Sequence, residues 1–144
     1  MKTHISLKDN FRKHIEIYKG LSLKTEILLN PTSPSTKIQL RYCDDFMSRL
    51  KGLMFSKQIP MDHGIIMVEK KESRINTSIH MMFMRFNLTV LWLDKELVVV
   101  DKVLAKKWFP IYFPKAQAQY VVELHADQYP NYSIGDQLFL QTAQ

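Results

Sequence analysis

His80 is the residue best suited to chemistry in this chain, because an imidazole titrates near neutrality and serves as a general base or a ligand. It stands in Ser78-Ile79-His80-Met81-Met82-Phe83-Met84, where Ser78 is placed to be polarised by it or to share one simple hydrogen bond with it. Glu123 comes second, in Tyr120-Val121-Val122-Glu123-Leu124, since a carboxylate inside an otherwise apolar run needs a partner. Arg49 or His80 is the expected partner, and the pair would be either an active-site couple or an internal clip between helix and sheet. Asp136 follows Gly135. An acid there could bind a metal or act as a base, although such acids ordinarily cap turn N–H groups; Asp94 reads the same way. The catalytic candidates are therefore His80, Glu123 and Asp136, and the ligand-binding candidates are Arg49, Ser78, His80 and Glu123.

Cys43 is the only cysteine, which rules out an intramolecular disulfide and a multi-cysteine zinc site and fits a reducing compartment. It precedes a predicted helix, a position that activates thiolates, but no histidine stands near it in sequence. His63, His80 and His125 are too scattered for a metal motif, and glycines at 20, 52, 64 and 135 make no phosphate loop. No metal and no cofactor are expected. Trp108, Phe109, Tyr112 and Phe113 lie among Lys102, Lys106, Lys107 and Lys115. Aromatic platforms beside positive charge bind single strands, so Lys106, Lys107, Trp108, Tyr112 and Lys115 form a nucleic-acid candidate patch. No RNP or KH signature accompanies it. The alternative is that these aromatics plug the sheet while the lysines are solvated.

The elements that must position these groups are short and β-rich. The 144 residues are 46% hydrophobic and 24% charged, ordinary for a globular domain and unlike a disordered chain. Lys and Arg exceed Asp and Glu by 20 to 14, a balance that favours anions such as nucleic acid or anionic lipid, though the excess is spread along the chain. No apolar run approaches a membrane span, and the N-terminus lacks a signal-peptide core, so a cytoplasmic protein is expected.

Phe11, Ile15 and Tyr18 share one helical face, which predicts a short amphipathic helix or a loose tail within an N-terminal extension, residues 1–28. One domain is expected over 29–144. Lys24–Leu29 and the alternating Ile38, Leu40 and Tyr42 predict strands around the proline-rich loop 30–36. Phe46, Met47, Leu50 and Leu53 predict a helix capped by Asp44 or Asp45. Strands follow at 65–68, 78–86, 88–93, 97–104, 120–124 and 137–140, with a turn at 94–96 and a charged loop at 69–74. The proline- and aromatic-rich segment 105–118 is expected to be a loop pinned down by its aromatics. Because 78–104 is apolar on both faces, it should be interior sheet. The fold class is α+β, mainly β: a small barrel-like sheet of about seven short strands with one or two helices.

Five segments in order resemble a prokaryotic family known only as the domain of unknown function numbered one hundred and ninety-two. They are Phe46-Met-Ser-Arg49-Leu-Lys-Gly52-Leu53-Met54, Ser78-Ile-His80-Met-Met-Phe83-Met84-Arg-Phe86, Leu91-Trp-Leu93-Asp94, Trp108 with the strand Tyr120-Val-Val-Glu123-Leu124, and Ile134-Gly135-Asp136. The resemblance covers about residues 29 to 141 and implies a compact β-rich fold but no activity. This chain has Asn87-Leu88-Thr89 where the family often has Pro-Ile-Asp, so any role of that acid is absent or moved. Its hairpin after Asp94 lacks the family's usual glycine.

Three functional readings remain. The preferred one is a non-enzymatic binding module with a polar cleft near Arg49, Ser78, His80 and Glu123, taking a small molecule or a protein segment. The others are a small hydrolase or lyase using His80 with Glu123 or Asp136, and a nucleic-acid-associated basic protein using region 102–115.

Overall fold

The computed structural model describes residues 25–43, 53 and 57–143. Seven strands form one mixed sheet: β1 (Thr25–Leu29), β2 (Lys37–Cys43), β3 (His63–Ser73), β4 (Leu88–Leu93), β5 (Val99–Ala105), β6 (Ala118–His125) and β7 (Phe139–Thr142). Their order is β5-β4-β6-β3-β2-β1-β7. Among the described strands only β2 and β3 run parallel, and such a pair requires a crossover. The predicted helix of that crossover, Arg49 included, and the N-terminal helix lie outside the described residues.

β2 alternates as its sequence dictates, with Ile38 and Leu40 buried and Lys37, Gln39 and Arg41 exposed. β4, Leu-Thr-Val-Leu-Trp-Leu, is buried at every position, because both faces of the sheet are covered. One face gathers Leu28, Leu40, Ile66, Leu91, Val122 and Leu124 with side chains from every other strand. The sheet coils around this core. Its edges meet where Val98 bridges Gln137, Val99 N–H donates to Asp136 O at 2.9 Å and Leu138 N–H to Leu97 O at 3.0 Å. This contact joins the edges at one corner only. The sheet is not closed, and barrel-like describes its curl alone.

The opposite face carries a second core: Leu88, Val90 and Trp92 of β4, Val121 of β6, and Ile59, Ile79, Met81 and Met84 from loops. Here the structure corrects the sequence reading. Residues 78–87 are not a strand; their one ladder contact is an isolated bridge from Ile79 to Tyr112. The segment lies across the sheet, putting Ile79, Met81 and Met84 into the second core while Met82 and Phe83 face solvent. An apolar run covering a sheet has the composition of one inside it, so composition could not separate the two. β3 also runs to Ser73 through the charged stretch expected to be a loop. A 3₁₀ helix, Ala126–Asn131, follows β6.

Turns at the corners are set locally. Asp94 accepts the N–H groups of Glu96 and Val98, each at 2.9 Å, and so closes the β4–β5 hairpin without glycine. Gly64 on β3 is required by close approach: a Cβ there would lie 2.6 Å from Leu124 Cδ2 and 2.7 Å from Glu123 O. Among the described residues no helix is long and apolar enough to cross a membrane.

Candidate functional site

Arg49 lies outside the described residues, and the other polar residues singled out in sequence are dispersed. Ser78 Oγ donates to Ile75 O at 2.7 Å, a local loop bond. His80 is exposed in the loop that follows. Among the described residues, no hydrogen bond joins His80 to Ser78, Glu123 or Asp136. Glu123 sits mid-strand on β6, paired across to Ile65 and Val90, on the face of the second core. It is buried, and burial alone pushes its carboxyl up to about 7. Asp136 lies at the corner where the sheet edges meet. Its Oδ2 accepts from Asn30 Nδ2 at 2.8 Å, Ser133 N–H at 2.9 Å and Thr32 Oγ1 at 3.2 Å. Burial pushes this carboxyl up, but the Ser133, Asn30 and Thr32 donors, with Lys102 nearby, outweigh burial and hold it below its ordinary value. Asn30 Nδ2 also reaches Asn131 O at 3.0 Å. Asp136 therefore clasps the β1–β2 loop to the β6–β7 connection. Among the described residues no three of His, Cys, Asp and Glu converge closely enough to hold a metal ion.

The structure instead builds a ledge from two loops, 78–87 and 105–117. Ile79 and Tyr112 exchange backbone bonds of 3.0 and 2.8 Å, Met81 N–H donates to Phe109 O at 3.0 Å, and Trp108 N–H donates to Met81 O at 2.8 Å. Each loop carries a tight turn, closed by Met84 N–H to Met81 O and by Phe109 N–H to Lys106 O, both at 3.2 Å. The third residue of each turn is left-handed: Phe83 at φ 63° and Trp108 at φ 66°. Turns with that geometry favour glycine or asparagine at the third position, and a bulky residue there is strained.

Those two rings meet edge to face, 5.4 Å between centroids, yet Phe83 is 45% and Trp108 54% exposed. Met82, Phe109, Ile111 and Phe113, in the same two loops, are also exposed. Tyr112 behaves as a plug: it packs against the second core, stacks on Phe109 at 4.4 Å, and its hydroxyl accepts Lys106 N–H at 3.0 Å. Asn87 Oδ1 accepts Lys107 N–H at 3.0 Å. From the predicted nucleic-acid patch, Lys106, Lys107 and Trp108 lie in the turn of the second loop, and Lys115 follows with its N–H on Asp101 Oδ2 at 2.8 Å. Sequence reasoning missed Met82, Phe83 and Ile111. The one signal available was a pair of apolar residues, Met82-Phe83, with no turn-forming residue beside them.

The family model described as DUF192, Uncharacterized ACR, matches residues 25–140. A UPF0127 protein of Thermococcus kodakarensis is 42% identical over 85 residues, 59% of this chain and 52% of that protein. A UPF0127 protein of Pyrococcus furiosus is 39% identical over 97 residues, 67% of this chain and 80% of that protein. The chain spans about half the length of the first curated relatives it matches. Two crystal structures share the fold. A proposed transcription regulator from Sinorhizobium meliloti 1021 has a TM-score of 0.71 at 19% identity, over 83% of this chain and 94% of that one. A protein of unknown function from Novosphingobium aromaticivorans has a TM-score of 0.68 at 14% identity, over 85% and 88%. With the sheet and loop order above matched along most of its length, the chain belongs to the uncharacterised DUF192/UPF0127 family.

Proposed function

We propose that this chain is a non-enzymatic binding module whose ligand docks on the aromatic ledge of loops 78–87 and 105–117. One observation carries the reading: Phe83 and Trp108 are large apolar residues held half exposed at turn positions that favour glycine or asparagine. Strain and exposed apolar surface both oppose stability, and residues that carry both cluster at binding sites. The reading moves the site from the polar cleft expected around Arg49, Ser78, His80 and Glu123 to the surface beside His80. It treats residues 25–143 as one β-rich unit, with a cytoplasmic location supported by the single cysteine. The likeness to a proposed transcription regulator is one of fold, and supports no nucleic-acid role.

The test uses 8-anilinonaphthalene-1-sulfonate, a flat, apolar anion, as probe. The native chain is expected to bind it, and Phe83→Asn with Trp108→Asn to abolish binding while urea unfolding stays cooperative. Asparagine keeps the left-handed backbone. Unchanged dye binding in that variant counts against the ledge. Turnover of p-nitrophenyl esters that disappears in both His80→Ala and Glu123→Gln would favour the hydrolase reading instead.

A further inference from the structure

Resting on the ledge as the binding surface, we infer that its partner is an anionic lipid bilayer. Both turn tips present apolar side chains at the surface, Met82-Phe83 on one and Trp108 on the other, and Phe109, Ile111 and Phe113 are exposed in the second loop. Hydrogen bonds between the two loops fix the tips side by side. The same loops contain Arg85, Lys106, Lys107 and Lys115, and no Asp or Glu occurs in 78–87 or 105–117.

This is the chemistry of interfacial insertion. Indole and phenyl rings settle at headgroup depth, aliphatic side chains enter the acyl boundary, and cations meet anionic headgroups. A single strand of nucleic acid fits less well. Base stacking uses open ring faces, but Phe109 is already stacked on Tyr112 and Trp108 is turned edge to face with Phe83. Met82 and Ile111, both exposed, offer a base no ring to stack on, whereas lipid accepts them as readily as it accepts rings. Phosphate charge would attract the cations from either source, so the apolar members of the ledge decide between them.

The experiment is flotation of the full chain with phosphatidylcholine vesicles containing or lacking phosphatidylglycerol, beside a fluorescent oligo(dT) arm. Flotation with phosphatidylglycerol vesicles is expected, together with a blue shift in the emission of Trp108; Trp92, 1% exposed, should not shift. Phe83→Asn with Trp108→Asn should weaken flotation at least about tenfold. Lys106→Gln with Lys107→Gln should weaken it about twenty-five-fold, roughly fivefold per cation near an anionic surface. No flotation with anionic vesicles at low salt overturns the inference. Oligo(dT) binding without flotation, lost in the aromatic variant, overturns the bilayer and leaves the ledge standing. Flotation unchanged in the aromatic variant overturns both.

Discussion

If Trp108 is strained for the sake of exposure, replacing it should invert a familiar stability order. Consider Trp108→Ala and Trp108→Gly. Both delete the ring, so both lose its partial burial and its edge-to-face pairing with Phe83, the latter about 0.5–1.5 kcal/mol. The ring is 54% exposed, so about half of its roughly 200 Å² of apolar surface is at stake, at most about 2.5 kcal/mol. These losses cancel in the comparison. What remains is the backbone. At φ 66° alanine still bears the left-handed penalty of about 1–2 kcal/mol, while glycine bears none. Glycine's extra freedom in the unfolded chain gives back about 0.5–1 kcal/mol. Trp108→Gly should therefore be the more stable by roughly 0.5–1 kcal/mol, where glycine in a regular element is ordinarily the less stable by a similar amount. Urea unfolding at constant m-value measures the difference. An alanine variant equal to or more stable than the glycine variant refutes the strain argument, and with it the reason for assigning the ledge to binding.

Two other sites give independent checks. The Glu123 carboxyl stands at about 7 in the fold against an ordinary 4.5. The folded state therefore holds a proton that the unfolded chain has released between those values, and stability falls as pH rises through this window, by roughly 3 kcal/mol in total. Glu123→Gln should flatten that slope and be more stable than wild type at pH 8; parallel curves for the two proteins would show that this carboxyl is not the source. Gly64→Ala should cost about 3 kcal/mol, because the new Cβ meets the Glu123 carbonyl at 2.7 Å and backbone cannot yield without parting β3 from β6. A loss under about 1 kcal/mol in urea unfolding would show that the sheet relaxes there more freely than its packing implies.

Much of the frame was legible in the residues themselves. Alternation in Lys37–Cys43, the run Leu88–Leu93 with Thr89 its one polar residue, and the Asp94 turn are local patterns, and each strand they predict is present. Asp136 as a turn acid was legible for the same reason, though its reach to Asn30 and Thr32 was not. The segment 78–86 misled because two-sided apolarity reports that a residue is covered, not what covers it. A strand inside a sheet and a loop lying over one satisfy the same composition.

By itself, then, the sequence determined a β-rich chain of one family, with its turns and its central strands, because period-two burial and turn chemistry act over a few residues. Tertiary structure alone decided that loops 78–87 and 105–117 pair, that Phe83 and Trp108 take left-handed backbone, and that Glu123 and His80 share no hydrogen bond. Those outcomes depend on contacts between residues far apart in sequence, such as Met81 with Phe109 and Ile79 with Tyr112. No window of sequence contains the backbone bonds that hold an exposed tryptophan against its own strain.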